Sequence, residues 1–204
     1  MNAKKYGAAF ANRSLFRQES VTLASLFLAT PNWTLVQQQV LSQNLLQSRT
    51  ISNAERLCRE LLSRLKTLHP PELHLLVNGN PLEQGYILWI AVCRRYSLIA
   101  GFAAIVLRER YISLKTGLRH EEFDAFFNRQ AEWNPALEKI QPATRSKLRQ
   151  ILFKILREAE LIDTNHKILP AMLSQRLIEV ICESDRTSLT WFPVFEADLR
   201  KLTR

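Results

Sequence analysis

Apolar residues recur at intervals of three and four along nearly the whole chain, which predicts α-helices; the alternation expected of half-buried strands is hard to find. The first such stretch, Phe16 to Ala29, must close before Pro31, because a residue preceding proline avoids the helical region. The second, "NWTLVQQQVLSQNLLQ", gathers Trp33, Val36, Val40, Leu41 and Leu45 on one face. A third starts at Ser52, which has capping-box spacing to Glu55. Its apolar face is Leu57, Cys58, Leu61, Leu62, Leu65 and Leu68, with Arg56, Arg59 and Lys66 opposite. "HPPE" interrupts the chain, a short helix covers Leu73 to Val77, and "NGNP" is a turn. A long helical region from Leu82 to Leu114, bent near Gly101, comes next.

Beyond "KTG" the character changes. "RHEEFDAFFNRQAEW" predicts a short amphipathic helix and "NPALEKIQP" a connector with one turn. A strongly periodic helix over Thr144 to Arg157, capped by Thr144, turns Leu148, Ile151, Leu152, Ile155 and Leu156 inward. "LIDTNHKILP" reads as a small β-hairpin or an irregular wing. A last helix, Ala171 to Cys182, precedes a tail bearing Trp191, Phe192 and Phe195. The fold class expected is all-α: a compact multi-helix globular fold with two helix-turn-helix-like elements and that wing. The division expected is an N-terminal helical subdomain over 1–115 and a C-terminal one over 116–204.

One segment tests a membrane reading. Ile87 to Leu107, "ILWIAVCRRYSLIAGFAAIVL", is long enough to span a bilayer and contains ten Leu, Ile, Val or Phe residues. Those ten favour insertion by about 3–6 kcal/mol in total, and each central arginine costs about 2.5–3.5 kcal/mol, so the sum is zero or worse. As one helix, Arg94, Ser97, Gly101, Ala104 and Arg108 would share a narrow polar and small-residue stripe, open to solvent or to a closely packed helix. A buried helix without membrane insertion is the expectation.

Charge narrows the function. The net charge is +9 and the pI near 9.8, which points to a polyanionic partner. Three separated cysteines among apolar neighbours, Cys58, Cys93 and Cys182, fit buried thiols in a reducing cytoplasm better than a disulfide frame. The beginning, "MNAKKYGAAFANRSLFRQ", has no unbroken apolar stretch and does not read as a secretory signal.

Local chemistry argues against catalysis. His69, His74, His120 and His166 are scattered without metal-ligand spacing, and no phosphate loop or nucleophile elbow occurs. His120 beside Glu121 and Glu122 marks a helix start more readily than an active site, since acids favour the first turn. The expectation is a protein that is not an enzyme, with no cofactor and no metal.

The basic helices are more informative. Thr144 to Arg157 carries Arg145, Lys147, Arg149, Lys154 and Arg157 with no acid. A helix, a connector, this basic helix and a hairpin follow the order of a winged helix, in which the second helix enters a groove. In that reading Arg145, Lys147 and Arg149 point to the groove, and Lys154 and Arg157 hold the backbone. The pair joined by "QSRTISN" is a second candidate, with Arg49, Thr50, Arg56 and Arg59 toward phosphates, or else an ordinary helical hairpin. The expected partner is double-stranded DNA, with sequence preference weak because Gln150 alone sits among the basic residues as an adenine reader.

Within "WTLVQQQVLSQNLLQSRTISNAERLCRELLSRL", the residues Asn44–Gln47, Arg49, Thr50, Ser52, Arg56, Arg59, Glu60, Arg64 and Leu65 resemble the BrxA family of BREX (bacteriophage exclusion) phage-defence systems. The likeness extends to "LREAELID" and "ILPAMLSQRL", with Glu160 where the family usually has glycine. The resemblance implies an all-helical, non-catalytic accessory protein with DNA-binding helix-turn-helix elements, encoded beside a methyltransferase, ATPases and a phosphatase-like protein. Other BREX subunits are therefore expected partners of a chain that is monomeric alone. Some members are labelled inner-membrane proteins, which the arginine arithmetic opposes. Two rival readings are an assembly adaptor, docking acidic partner subunits through the polar stripe and the aromatic tail, and an RNA-binding helical protein. The scarcity of exposed aromatics in the basic segments weakens single-strand recognition, which leans on base stacking.

Overall fold

The computed structural model describes residues 14–202, and these contain helices and no strand. Residues 1–13, which hold most of the segment read as lacking a secretory signal, lie outside it. Helix α1 spans Arg17–Ala29, α2 Trp33–Ser42, α3 Ile51–Leu65, α4 Pro70–Asn78 and α5 Pro81–Arg95. Helix α6 (Ser97–Phe102) runs through a π-helical stretch, Ala103–Arg108, into α7 (Glu109–Ile112). Then come α8 (His120–Glu132), α9 (Pro135–Glu138), α10 (Pro142–Glu158), α11 (Gln175–Asp185), a 3-10 turn at Arg186–Trp191, and α12 (Glu196–Leu202).

Helix α5 is the axis of the molecule. Asn80 Oδ1 accepts from the N–H groups of Leu82 and Glu83 at 3.0 Å, and the Glu83 carboxylate accepts from Asn80 N–H at 3.0 Å, a full capping box with Pro81 at the first helical position. Every residue from Gly85 to Cys93 is buried, as a helix apolar on all sides requires. One apolar core joins residues from Leu15 to Val194 on both sides of the expected 115/116 boundary. Across it, Trp89 Nε1 donates to the Trp191 carbonyl at 3.0 Å, and Phe192 is fully buried with its ring edge-on to Tyr86 at 5.3 Å. Phe192 is thus part of the interior and not of an aromatic docking surface.

Several expectations need correction. The long helix bends at Tyr96, not near Gly101: Tyr96 is extended (φ −127°, ψ 97°), and the segments Pro81–Arg95 and Ser97–Ile112 diverge by 112°. The cause is tertiary. Tyr96 is buried, its hydroxyl donates to Glu60, and the neighbouring Arg94 is held by Glu72. Gly101 sits inside α6, where a Cβ would lie 3.2 Å from the Phe126 ring, so its use is close approach to α8. The stripe from Arg94 to Arg108 is therefore split between two directions. Among the described residues no single helix is long and apolar enough to cross a membrane; only the bent pair passes together by length and composition.

Helix α3 starts at Ile51, not Ser52, and the cap is Thr50, whose Oγ1 accepts from Asn53 N–H at 3.3 Å. Helix α4 is longer than Leu73 to Val77, because Glu72 accepts from His69 N–H at 2.8 Å and prolines open its first turn. Helix α10 starts at Pro142, which leaves Thr144 inside the helix and not at its cap. Helix α11 starts at Gln175 and not Ala171, capped by Ser174 Oγ from Leu177 N–H at 3.2 Å.

The wing is the irregular form of its two alternatives. Segment 166–169 doubles back on 161–163 through Asp163 N–H to Lys167 O (2.9 Å) and Leu169 N–H to Leu161 O (2.9 Å). Its other edge bonds 116–118: Leu118 N–H donates to His166 O (2.8 Å) and Ile168 N–H to Thr116 O (2.6 Å).

Candidate nucleic-acid interface

Helix α10 buries Leu148, Ile151, Leu152, Phe153, Ile155 and Leu156, and this decides where its five cations point. Arg145 turns back onto α8. It donates to Asp124 Oδ1 at 3.1 Å, the Asp124 carbonyl at 2.8 Å and Asn128 Oδ1 at 2.7 Å, with its guanidinium 4.9 Å over the Phe127 ring. Arg149 donates to the other oxygen of the same carboxylate. Lys147, Gln150 and Lys154 face outward and are exposed, and Lys154 pairs with Glu158 at 3.6 Å. A shallow concave strip lined by Ala143, Ser146, Lys147, Gln150, Ile151 and Lys154 follows this outer side.

Arg157 faces the wing and lies 3.1 Å from His166 Nε2. A guanidinium only donates, so Nε2 accepts and the proton of neutral His166 is on Nδ1. The His166 ring also meets His120 (5.2 Å between centroids) and Phe153 (4.9 Å). Burial, then His120, then Arg157 hold His166 below the usual imidazole range, against the opposing pull of Asp163. His120 itself packs edge-on against Phe153 at 4.7 Å between centroids, and among the described residues no group of three or more His, Cys, Asp or Glu side chains is placed to hold a metal ion.

The second surface is built on a turn. Helix α2 closes in a Schellman motif, with Leu45 N–H to Val40 O at 3.1 Å and Asn44 left-handed at φ 47°. Asn44 Oδ1 then accepts from Ser48 N–H at 3.1 Å, Gln47 is also left-handed, and Thr50 caps α3. So Asn44, Gln47 and Thr50, three residues of the family-like block, set the angle between helices. Arg49, Arg56 and Arg59 are exposed, although Arg59 Nε also reaches the Glu55 carbonyl at 3.4 Å. Arg64 is buried and structural: it donates to Glu60 at 2.8 Å and to the Ser14 carbonyl at 2.9 Å. The burial of Cys58 and Cys93 pushes both thiols up, away from reactivity.

The structure thus separates nine sequence-predicted residues into outward ones (Lys147, Lys154, Arg49, Arg56, Arg59), ones tied within the protein (Arg145, Arg149, Arg157), and Thr50, the cap. What sequence reading missed was Asp124. Its spacing to Arg145, 21 residues away, gives no local sign of the pairing.

The fold and its charges define a class: an all-helical protein with exposed basic helices, one of them beside an irregular wing. The chain belongs to the BrxA family, whose model matches residues 4–185. A relative from Escherichia coli O9:H4 (strain HS), named BREX protein BrxA, is 27% identical over 150 residues, 74% of this chain and 70% of the relative. Another of the same name, from Paramagnetospirillum magneticum (strain ATCC 700264 / AMB-1), is 23% identical over 158 residues, 78% of this chain and 79% of that one. In structure the chain is similar to an uncharacterized protein from Magnetospirillum magneticum, with a TM-score of 0.81, 20% identity, and coverage of 93% of this chain and 98% of the other. That likeness concerns the fold alone.

Proposed function

We propose that this protein is a non-catalytic, cytoplasmic, double-stranded-DNA-binding accessory of a BREX phage-defence system. The relatives named BREX protein BrxA support the placement in BREX and make other BREX subunits its natural partners. The observation that carries the DNA reading is the surroundings of α10. Counting from α6–α7, the order is helix, segment 116–118, α8, the single turn of α9, α10, segment 161–163, turn, segment 166–169, with the last segment bonded to both others. That is the order of a winged helix, with α10 as the helix that enters the major groove. Lys147 and Lys154 on its outer side contact phosphates, and Arg56 and Arg59 of α3 form a second backbone contact. Duplex RNA fits less well, because its major groove is too deep and narrow for a helix.

Anisotropy of a labelled duplex over a salt series tests this. Affinity should fall with a log–log slope of about 0.9 per neutralised phosphate. Lys147→Ala/Lys154→Ala should flatten the slope more than Arg56→Ala/Arg59→Ala, and the protein should elute as a monomer. Absence of duplex binding at low salt sinks the DNA reading and leaves the adaptor role.

A further inference from the structure

We infer that α10 reads an adenine in the major groove through Gln150, an inference that rests on the DNA reading above. Protein side chains read base edges there in few ways: arginine or lysine with guanine, asparagine or glutamine with adenine, glutamate or aspartate with cytosine. On α10 the arginines are withdrawn from this use. Arg145 spends its guanidinium on Asp124 and Asn128, and Arg149 is held by Asp124, with its Nε buried. Gln150 is the single amide within α10 and is exposed in the middle of the concave strip.

Its neighbours suit a groove. Lys147 and Lys154 stand three residues before and four after, about 4.5 and 6 Å along the axis, and flank the amide with flexible cations suited to the phosphates on either wall. Ala143 and Ser146 are small, so the first half of the helix can sit close to the groove floor. A glutamine amide placed there offers its carbonyl to adenine N6–H and its NH2 to N7, a pair that no other base presents.

Selection from a duplex library with a randomised centre, followed by sequencing, tests the assignment. The wild type should enrich an A·T pair at one fixed position by about 5- to 150-fold over other pairs. Gln150→Ala should lose that enrichment, its affinity falling more for the enriched duplex than for duplex with another pair at that position. Gln150→Glu should move the preference to cytosine. Duplex binding with no preference, a preference for guanine, or enrichment unchanged in Gln150→Ala overturns the inference and leaves the DNA reading standing. No duplex binding by the wild type overturns both.

Discussion

Arg94 and Glu72 meet as a bidentate pair inside the molecule, Nη1 at 2.6 Å from Oε2 and Nη2 at 2.8 Å from Oε1, and the Glu72 carboxylate is wholly shielded from solvent. Arg94 also donates to the Thr67 carbonyl at 3.0 Å and to Ser188 Oγ at 3.2 Å. One guanidinium therefore ties α4, the end of α3, the end of α5 and the 3-10 turn together, at the place where the chain bends by 112°. Arg94→Ala leaves a buried carboxylate without its partner and should lower the unfolding free energy by about 3–5 kcal/mol. Arg94→Lys should recover only part of that, because an ammonium cannot match the bidentate geometry. Urea unfolding followed by circular dichroism measures both, and a loss below roughly 1 kcal/mol for Arg94→Ala, no more than a surface pair, refutes the role.

Asp124 decides how much of α10's charge faces outward. Asp124→Asn frees Arg145 and Arg149 to reach phosphates, and should steepen the salt dependence of duplex binding by up to about 2 in log–log slope. It should cost about 1–3 kcal/mol of stability through the weakened charge-assisted hydrogen bonds. Arg145→Ala should lower stability with little change in slope. If Arg145→Ala flattens the slope in an otherwise wild-type background, the arginine contacts DNA directly.

Glu160 occupies the left-handed C′ position of α10 at φ 54°, in a Schellman motif with Leu161 N–H to Leu156 O at 2.9 Å and Glu160 N–H to Arg157 O at 3.0 Å. A side chain there costs about 1–2 kcal/mol relative to a right-handed conformation. Glycine removes that cost but widens the unfolded ensemble by about 0.4–1 kcal/mol. Glu160→Gly should therefore stabilise by up to about 1 kcal/mol, a rise of about 2–4 °C in Tm. A fall in Tm would mean that the carboxylate makes a contribution the geometry does not reveal.

Acid should loosen the wing. The folded state holds His166 below its ordinary value of 6.5, so as pH falls through 6.5 the unfolded chain takes up its proton first. This group's share of stability is complete above pH 6.5, declines below it, and levels off once pH passes beneath the folded value. Glu83 and Asp185, both held below their usual range by hydrogen bonds, withdraw their share at still lower pH. His166→Asn tolerates the left-handed backbone at this position (φ 60°) and should flatten the first part of the decline. Thermal melts at a series of pH values from 7.5 downward compare the two proteins; parallel curves would show that His166 does not titrate against folding.

Helix content and membership of the family were legible from periodicity and from the block around Asn44 to Arg64. Helix starts moved by a few residues where a local cap or proline lay elsewhere, and the bend moved where a distant group intervened. Thr50 displaced Ser52 as the cap of α3, two residues earlier, where the chain enters from the left-handed Asn44 and Gln47. The bend moved from Gly101 to Tyr96, since burial of the tyrosine beside Glu60 outweighs a glycine's local freedom. Five glycines serve the whole chain. The left-handed conformations among the described residues fall to Phe16, Asn44, Gln47, Leu114, Glu160 and His166, none of them glycine.

The sequence by itself determined the all-helical class, the basic balance and which side of α10 is apolar, because these follow from spacing and count along one chain. Which cations remain free was decided only by the tertiary structure. Arg145 and Lys147 are indistinguishable as charges on a helix two residues apart, yet the 100° turn per residue sends one toward Asp124 on α8 and the other to solvent. A partner 21 residues away leaves no periodic trace, and Coulomb attraction between them acts only once packing has brought the two helices together.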